Sequence, residues 1–279
     1  MSSYLKERID FYNEFSSWYF KILKDFKFDY QRDCIARDYL SSILDQKSND
    51  WNLERTLISF KNVIQKKSRI LIYGCGPSLE DTVNKSLSDR DNRNLFNNCL
   101  NLAADGASIF LKEKDIPING IFTDLDGITK KEFHNTDFMV VHAHGDNIEK
   151  LKYFEKDILN FDNMLGTTQV EPIHNVINPG GFTDGDRILF FLRTFLLSKH
   201  TIFLIGMDFN HIIGRYSKPE MTKNKEANPI KIKKLDCAIK LIEWFKYKIE
   251  NEIYFVNSKV ESNKFNYLSV EKFKKLDFE

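Results

Sequence analysis

The sequence predicts an α/β protein with a Rossmann-like, mostly parallel sheet flanked by helices and with an N-terminal helical appendage. From residue 69 onward, short apolar runs alternate with helical segments, which is typical of βαβ units in a parallel sheet. These runs are apolar throughout, as expected of strands that are buried on both faces. Residues 1–66 contain neither glycine nor proline, and their apolar residues recur at helical spacing.

Composition and charge favour a globular cytoplasmic protein. The chain has 279 residues, of which 42% are hydrophobic and 29% charged. Its 41 basic and 40 acidic residues nearly cancel, so its charge predicts neither a nucleic-acid nor a membrane partner. The four cysteines are widely separated and form no Cys-x-x-Cys pair, which favours reduced thiols. The N-terminus lacks the apolar run of a secretory signal, and no stretch approaches the roughly 18 apolar residues of a membrane span.

The N-terminal helices are predicted to pack on the core. Phe11, Phe15, Trp18 and Ile22 are separated by four, three and four positions, which places them on one helical face. We therefore divide the chain into an N-terminal helical region of residues 1–66, a Rossmann-like core of residues 67–260 and a C-terminal tail of residues 261–279. The sequence does not decide between a monomer and a homodimer, so a homodimer stays open.

Six strands and two further helices are predicted in the core. The strands are residues 70–73, 99–102, 120–123, 138–141, 201–205 and 253–256. One helix is expected at residues 184–198, with Thr183 as N-cap and Asp186 in a capping-box position, and the other at residues 232–249. Residues 209–230 between them are irregular and basic, which is typical of a lid over a site.

A glycine loop follows the first strand. Gly74 and Gly76 allow a tight turn and a close approach of the backbone to a ligand. Pro77 suits the first turn of a helix, and Ser78 adds a hydroxyl group. A helix start at this loop would favour a phosphate. A plain strand-to-helix turn explains the loop equally well.

Carboxylates follow the second and third strands. Asp105 comes after the second strand, and Asp124 and Asp126 come after the third. Because ligands bind beyond the carboxyl ends of parallel strands, these oxygens are candidates to hold one Mg²⁺ ion that also binds phosphates. The alternative is that the Asp-x-Asp-Gly sequence is only a turn.

Two histidines and an acid follow the fourth strand. His142, His144 and Asp146 are candidates for a transition-metal site, but no further set of ligands accompanies them. Asp146 is instead a candidate for Mg²⁺, with the histidines near phosphate. In a third interpretation, Asp146 or Asn147 only caps the next helix.

The start of the next helix carries a third group of polar residues. Thr183, Asp184, Asp186 and Arg187 follow glycines that suit an anion or a nucleotide, and the two acids are candidates to contact metal, ribose or a ring nitrogen. Asp208 ends the fifth strand as a further acid or as a cap. The last group, which opens the final helix, is Lys231, Lys233 and Lys234. Positive charge is unfavourable at a helix start, so it indicates a nearby anionic ligand unless these lysines are merely solvated.

Together these groups predict transfer of a phosphorus group. Carboxylates for Mg²⁺, glycine loops for phosphates and a basic mobile loop supply the positioning and charge neutralisation on which such reactions depend. A Walker A motif and a protein-kinase signature are both missing from the sequence, which disfavours those two classes of enzyme.

As a set, the motifs resemble the archaeal 6-hydroxymethyl-7,8-dihydropterin pyrophosphokinase family. Six motifs keep their order between residues 69 and 245, and they lie at residues 74–79, 104–107, 123–127, 142–147, 181–187 and 206–209. The resemblance implies ATP as donor, Mg²⁺, a reduced pterin as acceptor, and a role in folate or tetrahydromethanopterin biosynthesis. By this resemblance the enzyme gives the terminal diphosphate of ATP to the pterin and releases AMP.

The family resemblance and the residue types together suggest a role for each candidate residue. Asp124 and Asp126 bind Mg²⁺, with Asp105 or Asp146 completing the ligands, and Asp146 orients the acceptor hydroxyl or takes its proton. The nucleotide is expected at Gly74, Gly76, Pro77, Ser78, Asp105, Thr183, Asp184, Asp186, Arg187 and Lys234.

Three alternatives stay open. The pair of acidic motifs is similar to those of thiamine pyrophosphokinase, which would change the acceptor. The glycine loop is similar to a cytidine-nucleotide loop of sialyltransferases, although Cys75 stands where that loop has asparagine. The third alternative is a module that binds ATP and Mg²⁺ without turnover.

Overall fold

Nine parallel strands form the central sheet of the protein. The structure is a computed structural model that describes residues 4–88, 93–258 and 262–276, and the sheet is counted within these ranges. Their spatial order is β11-β10-β7-β1-β2-β3-β4-β5-β6. The strands of this sheet are β1 Arg69–Tyr73, β2 Leu100–Ala104, β3 Gly120–Thr123, β4 Phe138–Ala143, β5 Met164–Thr168, β6 Val176–Ile177, β7 Thr201–Ile205, β10 Ile253–Val256 and β11 Asn266–Leu268. Two short antiparallel strands, β8 Ile212–Ile213 and β9 Lys225–Glu226, form a separate hairpin. The predicted α/β fold class is confirmed.

Helices cover both faces of the sheet. In chain order they are α1 Leu5–Arg8, α2 Tyr12–Phe26, α3 Tyr30–Asp45, α4 Leu53–Lys66, α5 Ser78–Ser86, α6 Arg93–Asn97, α7 Ala107–Glu113, α8 Ile148–Tyr153, α9 Glu155–Asn160, α10 Asp184–Leu192, α11 Pro229–Lys246 and α12 Val270–Lys274. None of the helices formed by the described residues combines the length and the apolar character that a membrane span requires.

All six predicted strands are present, with ends that agree to within two residues. Strands β5, β6 and β11 were not predicted. Gly166 and two threonines make β5 less apolar than the other strands, β6 has only two residues, and β11 is largely polar. Short edge strands give too few residues for a pattern to stand out.

The two core helices differ from prediction at their ends. Thr183 and Asp186 do form the predicted capping box. However, α10 ends at Leu192 and not near residue 198, because the chain turns back towards β7 and the Leu197 N–H donates to Nδ1 of His200 (2.8 Å). Helix α11 begins earlier than predicted because Asn228 caps it by accepting from the Lys231 N–H.

The N-terminal helices are built into the core on both faces. Alternate residues of each strand point to opposite faces, so Ile70 belongs to one apolar cluster and Leu71 to the other. Phe15 of α2 and Phe60 of α4 join the first cluster, and Leu40 of α3 joins the second.

The proposed division of the chain at residues 66 and 260 stays a prediction. The segment taken as a C-terminal tail supplies β11 and α12. Residues 1–3 of the N-terminal region, residues 259–260 at the boundary of the core, and residues 261 and 277–279 of the tail lie outside the described residues.

The order of the strands locates a crevice. From β1 the chain builds the sheet outward through β2 to β6, and it then returns to the other side of β1 with β7. In parallel sheets such a reversal leaves a crevice at the carboxyl ends of the two central strands. Residues 209–228, which we call the covering segment, pass over this edge and contain the β8–β9 hairpin within the predicted irregular loop.

Candidate active site at the carboxyl edge of the sheet

Three carboxylates meet where β2 and β3 end. Asp105, Asp124 and Asp126 each offer an oxygen, and these oxygens lie within 4.8 Å of one another. The register of the two strands explains why these carboxylates lie together. Ala104 of β2 pairs with Phe122 of β3, so the segments that follow the two strands leave the sheet side by side. These three acids were predicted to share an edge of the sheet, and the structure brings them together.

Asp105 is held in one orientation by its neighbours. Its Oδ1 accepts hydrogen bonds from the Thr123 hydroxyl (2.6 Å) and from the Gly127 N–H (3.2 Å). A Cβ at Gly127 would lie 2.0 Å from Oδ2 of Asp105, so only glycine fits there. Asp105 itself has φ of 51°, a left-handed conformation that aspartate tolerates better than most residues. The carboxylate is therefore fixed before any ligand arrives.

Asp124 is oriented by the turn after β4. Nε2 of His144 lies 3.3 Å from Oδ2 of Asp124, and the Asp146 N–H donates to Nδ1 of the same ring. Because Nδ1 accepts, Nε2 carries the proton and donates to Asp124. Asn147 adds a bond from its Nδ2 to the Asp124 carbonyl (2.9 Å), and the Asp126 N–H donates to Oδ1 of Asp124.

Burial and neighbouring charges shift the pKa values of these acids. Burial and the charge of Asp124 raise the pKa of Asp105 well above its usual value. The same two causes raise the pKa of Asp184 to about 8. For Asp124, burial also raises the pKa, but His144 and Arg187 outweigh it and leave the pKa below its usual value. A cation placed among these groups would relieve the repulsion.

Two cations border the cluster. Arg187 lies on α10 and is 4% exposed; it pairs with Asp184 (3.1 Å) and donates to the Phe182 carbonyl. Its buried Nε has no hydrogen-bond partner in the described part of the chain. Lys218 of the covering segment reaches Asp126 at 2.5 Å. Positive charge from α10 and from the covering segment therefore lies close to the carboxylates.

Lys234 lies at the start of α11, next to aromatic rings. Its Nζ is 5.3 Å from the centre of the Phe28 ring and 5.9 Å from that of Phe182. Burial, followed by repulsion from Lys231, lowers the pKa of Lys234, and the charge of Asp124 opposes this shift. A half-buried ammonium group near carboxylates suits an anionic ligand.

The glycine loop after β1 is packed against the loop after β7. The Gly76 N–H donates to the Gly206 carbonyl (2.7 Å), and the Ser78 N–H donates to Oδ2 of Asp208 (2.7 Å). A Cβ at Gly76 would lie 2.4 Å from that same carboxylate oxygen. Close packing of the two loops thus explains Gly76, and Asp208 caps the start of α5. A nucleotide role for Gly74, Gly76, Pro77 and Ser78 stays a prediction.

Residues at the start of α10 divide into two groups. The Asp186 carboxylate is fully buried and accepts from the Thr183 hydroxyl and from the N–H groups of Phe182 and Thr183. Asp186 and Thr183 therefore cap the helix. Asp184 instead lies close enough to the three carboxylates for its pKa to respond to Asp124 and Asp126.

The remaining candidates for metal binding are His142 at the end of β4 and His144 and Asp146 in the turn that follows. Asp146 is exposed and lies outside the group of three carboxylates, so its metal role stays a prediction. His142 is buried, and its Nδ1 lies 3.0 Å from the Thr167 hydroxyl. Burial lowers the pKa of His142 well below its usual value, with Arg187 the second cause. Within the described ranges, His142 and His144 belong to no group of three potential metal ligands.

The covering segment lies directly on the loops of the site. A Cβ at Gly106 would meet the Tyr216 carbonyl at 1.9 Å, and a Cβ at Gly214 would meet the Cys75 carbonyl at 2.2 Å. Lys218 was predicted only as part of a basic loop, and its contact with Asp126 was not foreseen. Neither residue spacing nor periodicity carries that information, since 92 residues separate the two.

Three carboxylate oxygens on a rigid frame are the donor set that Mg²⁺ prefers, so the residues present fit such an ion. Fold and site together define a class of Rossmann-like α/β proteins with an acidic site at the carboxyl edge of the sheet. The sequence pattern of the family described as "6-hydroxymethylpterin diphosphokinase MptE-like" matches residues 46–214. The chain belongs to this family.

Three relatives extend the match beyond that range, and each is named 6-hydroxymethyl-7,8-dihydropterin pyrophosphokinase. The protein of Pyrococcus furiosus is 35% identical over 237 residues, which cover 84% of this chain and 94% of the relative. That of Methanocaldococcus jannaschii is 37% identical over 251 residues, or 86% and 97%. That of Methanothermobacter thermautotrophicus is 34% identical over 231 residues, or 81% and 91%.

Proposed function

We propose that this protein transfers the terminal diphosphate of ATP to 6-hydroxymethyl-7,8-dihydropterin and releases AMP. The relatives that carry the name of this activity match over more than nine-tenths of their own length. The observation that carries the proposal is the cluster of Asp105, Asp124 and Asp126, which offers three oxygens within 4.8 Å at the carboxyl edge of the sheet. Transfer of a phosphorus group depends on charge neutralisation by a bound metal ion, and these carboxylates would hold one.

Asp105, Asp124 and Asp126 would hold Mg²⁺. When bound, this ion supplies charge neutralisation for the phosphates of ATP. Asp105 is fixed by Thr123 and Asp124 by His144, so neither carboxylate has to reorganise when the ion binds. Asp146 lies outside this group of three carboxylates, and its own role as a metal ligand stays a prediction.

Basic groups around the cluster are proposed to bind the phosphates. Arg187 brings a buried guanidinium group with a free Nε donor, within the described residues, and Lys234 brings a half-buried ammonium group. Lys218 pairs with Asp126, and we expect its ammonium to turn towards phosphate oxygens when ATP is bound. The Gly74–Ser78 loop and the start of α10 are proposed to seat the rest of the nucleotide.

The reaction is an in-line displacement at the β-phosphorus. The hydroxymethyl oxygen of the pterin forms a bond to this phosphorus, the bond from phosphorus to the oxygen shared with the α-phosphate breaks, and AMP leaves with the bonding electrons. The exposed carboxylate of Asp146 is proposed to orient the hydroxyl group and to accept its proton. The product would enter folate or tetrahydromethanopterin biosynthesis in the cytoplasm.

Resolving the nucleotide products tests this function. The protein is mixed with ATP, Mg²⁺ and 6-hydroxymethyl-7,8-dihydropterin, and AMP and ADP are separated; a parallel reaction contains thiamine in place of the pterin. We expect AMP that depends on the pterin. Formation of ADP would instead mean single phosphoryl transfer, and AMP with thiamine alone would move the proposal to the other acceptor. The relatives give no support to a thiamine or sugar-nucleotide activity.

A further inference from the structure

A buried carboxylate of the N-terminal helices reaches the turn that follows β4. Asp33 lies on α3 and is 3% exposed. It accepts three hydrogen bonds, from the Tyr19 hydroxyl (2.7 Å), the Gln169 side-chain amide (2.7 Å) and the Gly145 N–H (2.6 Å). These donors come from α2, from the segment after β5 and from the turn after β4. A charged acceptor with three donors is a strong and directional anchor.

Gly145 is shaped to receive this contact. A Cβ at this position would lie 2.7 Å from the Cβ of Arg32 and 3.3 Å from Oδ1 of Asp33. Only glycine therefore lets α3 approach the turn closely enough for the hydrogen bond. The contact between α3 and the turn is thus fixed from both sides.

The same turn carries the groups that orient Asp124. His144 precedes Gly145 and lies 3.3 Å from the Asp124 carboxylate. Asn147 follows and accepts from the His144 N–H, while its own amide donates to the Asp124 carbonyl. A shift of the turn would therefore move the partners of Asp124.

We infer that Asp33 is a positioning residue of the site, which acts through Gly145 and His144 on the metal-binding carboxylate Asp124. This inference gives the N-terminal helices a task in the reaction, and it rests on the proposed function. Partners that orient metal ligands typically contribute about 10- to 100-fold to metal affinity or activity.

The test compares the native chain with variants of Asp33, Gly145 and Asp29, and it repeats Asp33→Ala in a His144→Gln background. Asp33→Ala removes the acceptor, and Asp33→Asn keeps an oxygen for the Gly145 N–H. Gly145→Ala pushes the same turn away from α3 without altering Asp33. Asp29→Ala is the control, because Asp29 only caps the start of α3 and is exposed. For each protein we would measure kcat, KM for ATP and pterin, and the affinity for Mg²⁺ by calorimetry.

We expect Asp33→Ala to weaken Mg²⁺ binding and lower kcat, each by about tenfold or more, with partial rescue in Asp33→Asn. For Asp29→Ala, both the affinity for Mg²⁺ and kcat should stay within about twofold of the values of the native chain. In a His144→Gln background, Asp33→Ala should add less than about threefold, because both changes act on one path. A full additional loss there would contradict the inference.

Each remaining outcome also decides the role of Asp33. Native Mg²⁺ affinity and kcat in Asp33→Ala would overturn the inference. If that variant does not fold, Gly145→Ala replaces it, since it should show the same weakened Mg²⁺ binding, and native binding there would overturn the inference too. A native chain that makes no pterin-dependent AMP would remove the proposed function, and the calorimetric comparison would still test Asp33.

Discussion

Asp105 combines burial, a left-handed backbone and two like-charged neighbours, which is a costly set of conditions for one carboxylate. The Thr123 hydroxyl and the Gly127 N–H hold it in place. Such a residue is expected to favour ligand binding over the stability of the ligand-free protein. The effect on ligand binding and the effect on stability can be separated by a substitution that keeps the shape of the Asp105 side chain.

Asp105→Asn should improve stability while damaging the site. Asparagine still accepts from Thr123 and Gly127 but carries no charge, so repulsion from Asp124 disappears. At pH 8 in EDTA we expect the free energy of unfolding to rise by about 1 kcal/mol or more. Mg²⁺ affinity should fall about tenfold or more, because a charged ligand is lost. Thermal melts and Mg²⁺ titrations measure the two, and a loss of stability in EDTA would contradict the account.

His200 predicts a dependence of stability on pH away from the site. It is buried and accepts from the Leu197 N–H through Nδ1, an arrangement that protonation would break. Burial, followed by the charge of Lys199, lowers its pKa. Below pH of about 6.5, the unfolded chain therefore binds a proton that the folded chain does not, and stability falls.

The comparison is with His200→Gln. The difference between the free energies of unfolding of His200→Gln and the native chain should shrink as pH falls from about 7.5 to about 5.5. The change should be less than about 1.4 kcal/mol per pH unit, because uptake of one proton cannot produce a steeper slope. Denaturant titrations at the two pH values measure it. Exposed His134→Gln is the control and should show a constant difference. A constant difference for His200→Gln as well would exclude the explanation.

For single residues, the sequence was sufficient to predict that Asp105, Asp124 and Asp126 lie at one edge of the sheet. Asp124 and Asp126 follow a buried strand two positions apart, so a shared edge follows from topology. Neither Asp33 nor the partnership of His144 with Asp124 was predicted. Asp33 and Gly145 are 112 positions apart, and only the packing of α3 on the turn joins them.

The covering segment packs on the loops at the carboxyl edge of the sheet. Arg215 pairs with Glu80 of α5 (2.9 Å), and the Tyr216 hydroxyl donates to Glu113 of α7 (2.5 Å). Glu80 lies on the helix that follows β1, and Glu113 lies on the helix that follows β2. The segment is therefore fastened on both sides, next to the Lys218 contact with the acidic cluster.

Removing one of these fastenings should loosen the segment. Tyr216→Phe loses the bond to Glu113, which is a hydrogen bond to a charged group. We expect trypsin to cleave at Lys223 or Lys225 about fivefold faster or more, because local opening becomes easier. Tyr247→Phe, a change at an exposed tyrosine, is the control. Unchanged cleavage in Tyr216→Phe would mean that other contacts hold the segment.

Strands were predictable where an apolar run was long enough to stand out in the sequence. The six apolar strands were found, whereas β6 and β11 lie at the sheet edges and contain two and three residues. The hairpin β8–β9 within the covering segment was expected to be irregular. Its four residues are exposed or half-buried, so no hydrophobic pattern marks them.

At the scale of the whole molecule, the N-terminal helices and the sheet share one apolar core. Phe60 of α4 stacks on Phe138 of β4, with ring centres 4.2 Å apart, and also contacts Phe122 and Phe191. The amphipathic spacing of this region predicted packing on the core. It did not predict which strands would be covered, because that depends on the full topology.

Phe60→Ala should therefore destabilise the entire fold. The cavity lies between α4, the sheet and α10, and such truncations cost about 3–5 kcal/mol. Chemical denaturation followed by circular dichroism measures this loss. Ile58→Ala on the exposed side of α4 is the control, with an expected change within about 0.5 kcal/mol. A native-like midpoint for Phe60→Ala would show that α4 unfolds separately from the sheet.

We expect diphosphate transfer to take place at the carboxylates where β2 and β3 end. The most direct measurement is the rate of pterin-dependent AMP formation in Asp126→Asn, with Asp38→Asn, an exposed change on α3, as control. Asp126 is half-buried and bonded to Lys218, so its neutralisation should leave the fold and the thermal melt unchanged. We predict that Asp126→Asn loses at least about 100-fold in rate, because the charge that developing phosphate groups require is no longer balanced. A folded Asp126→Asn protein with a nearly native rate would contradict the account.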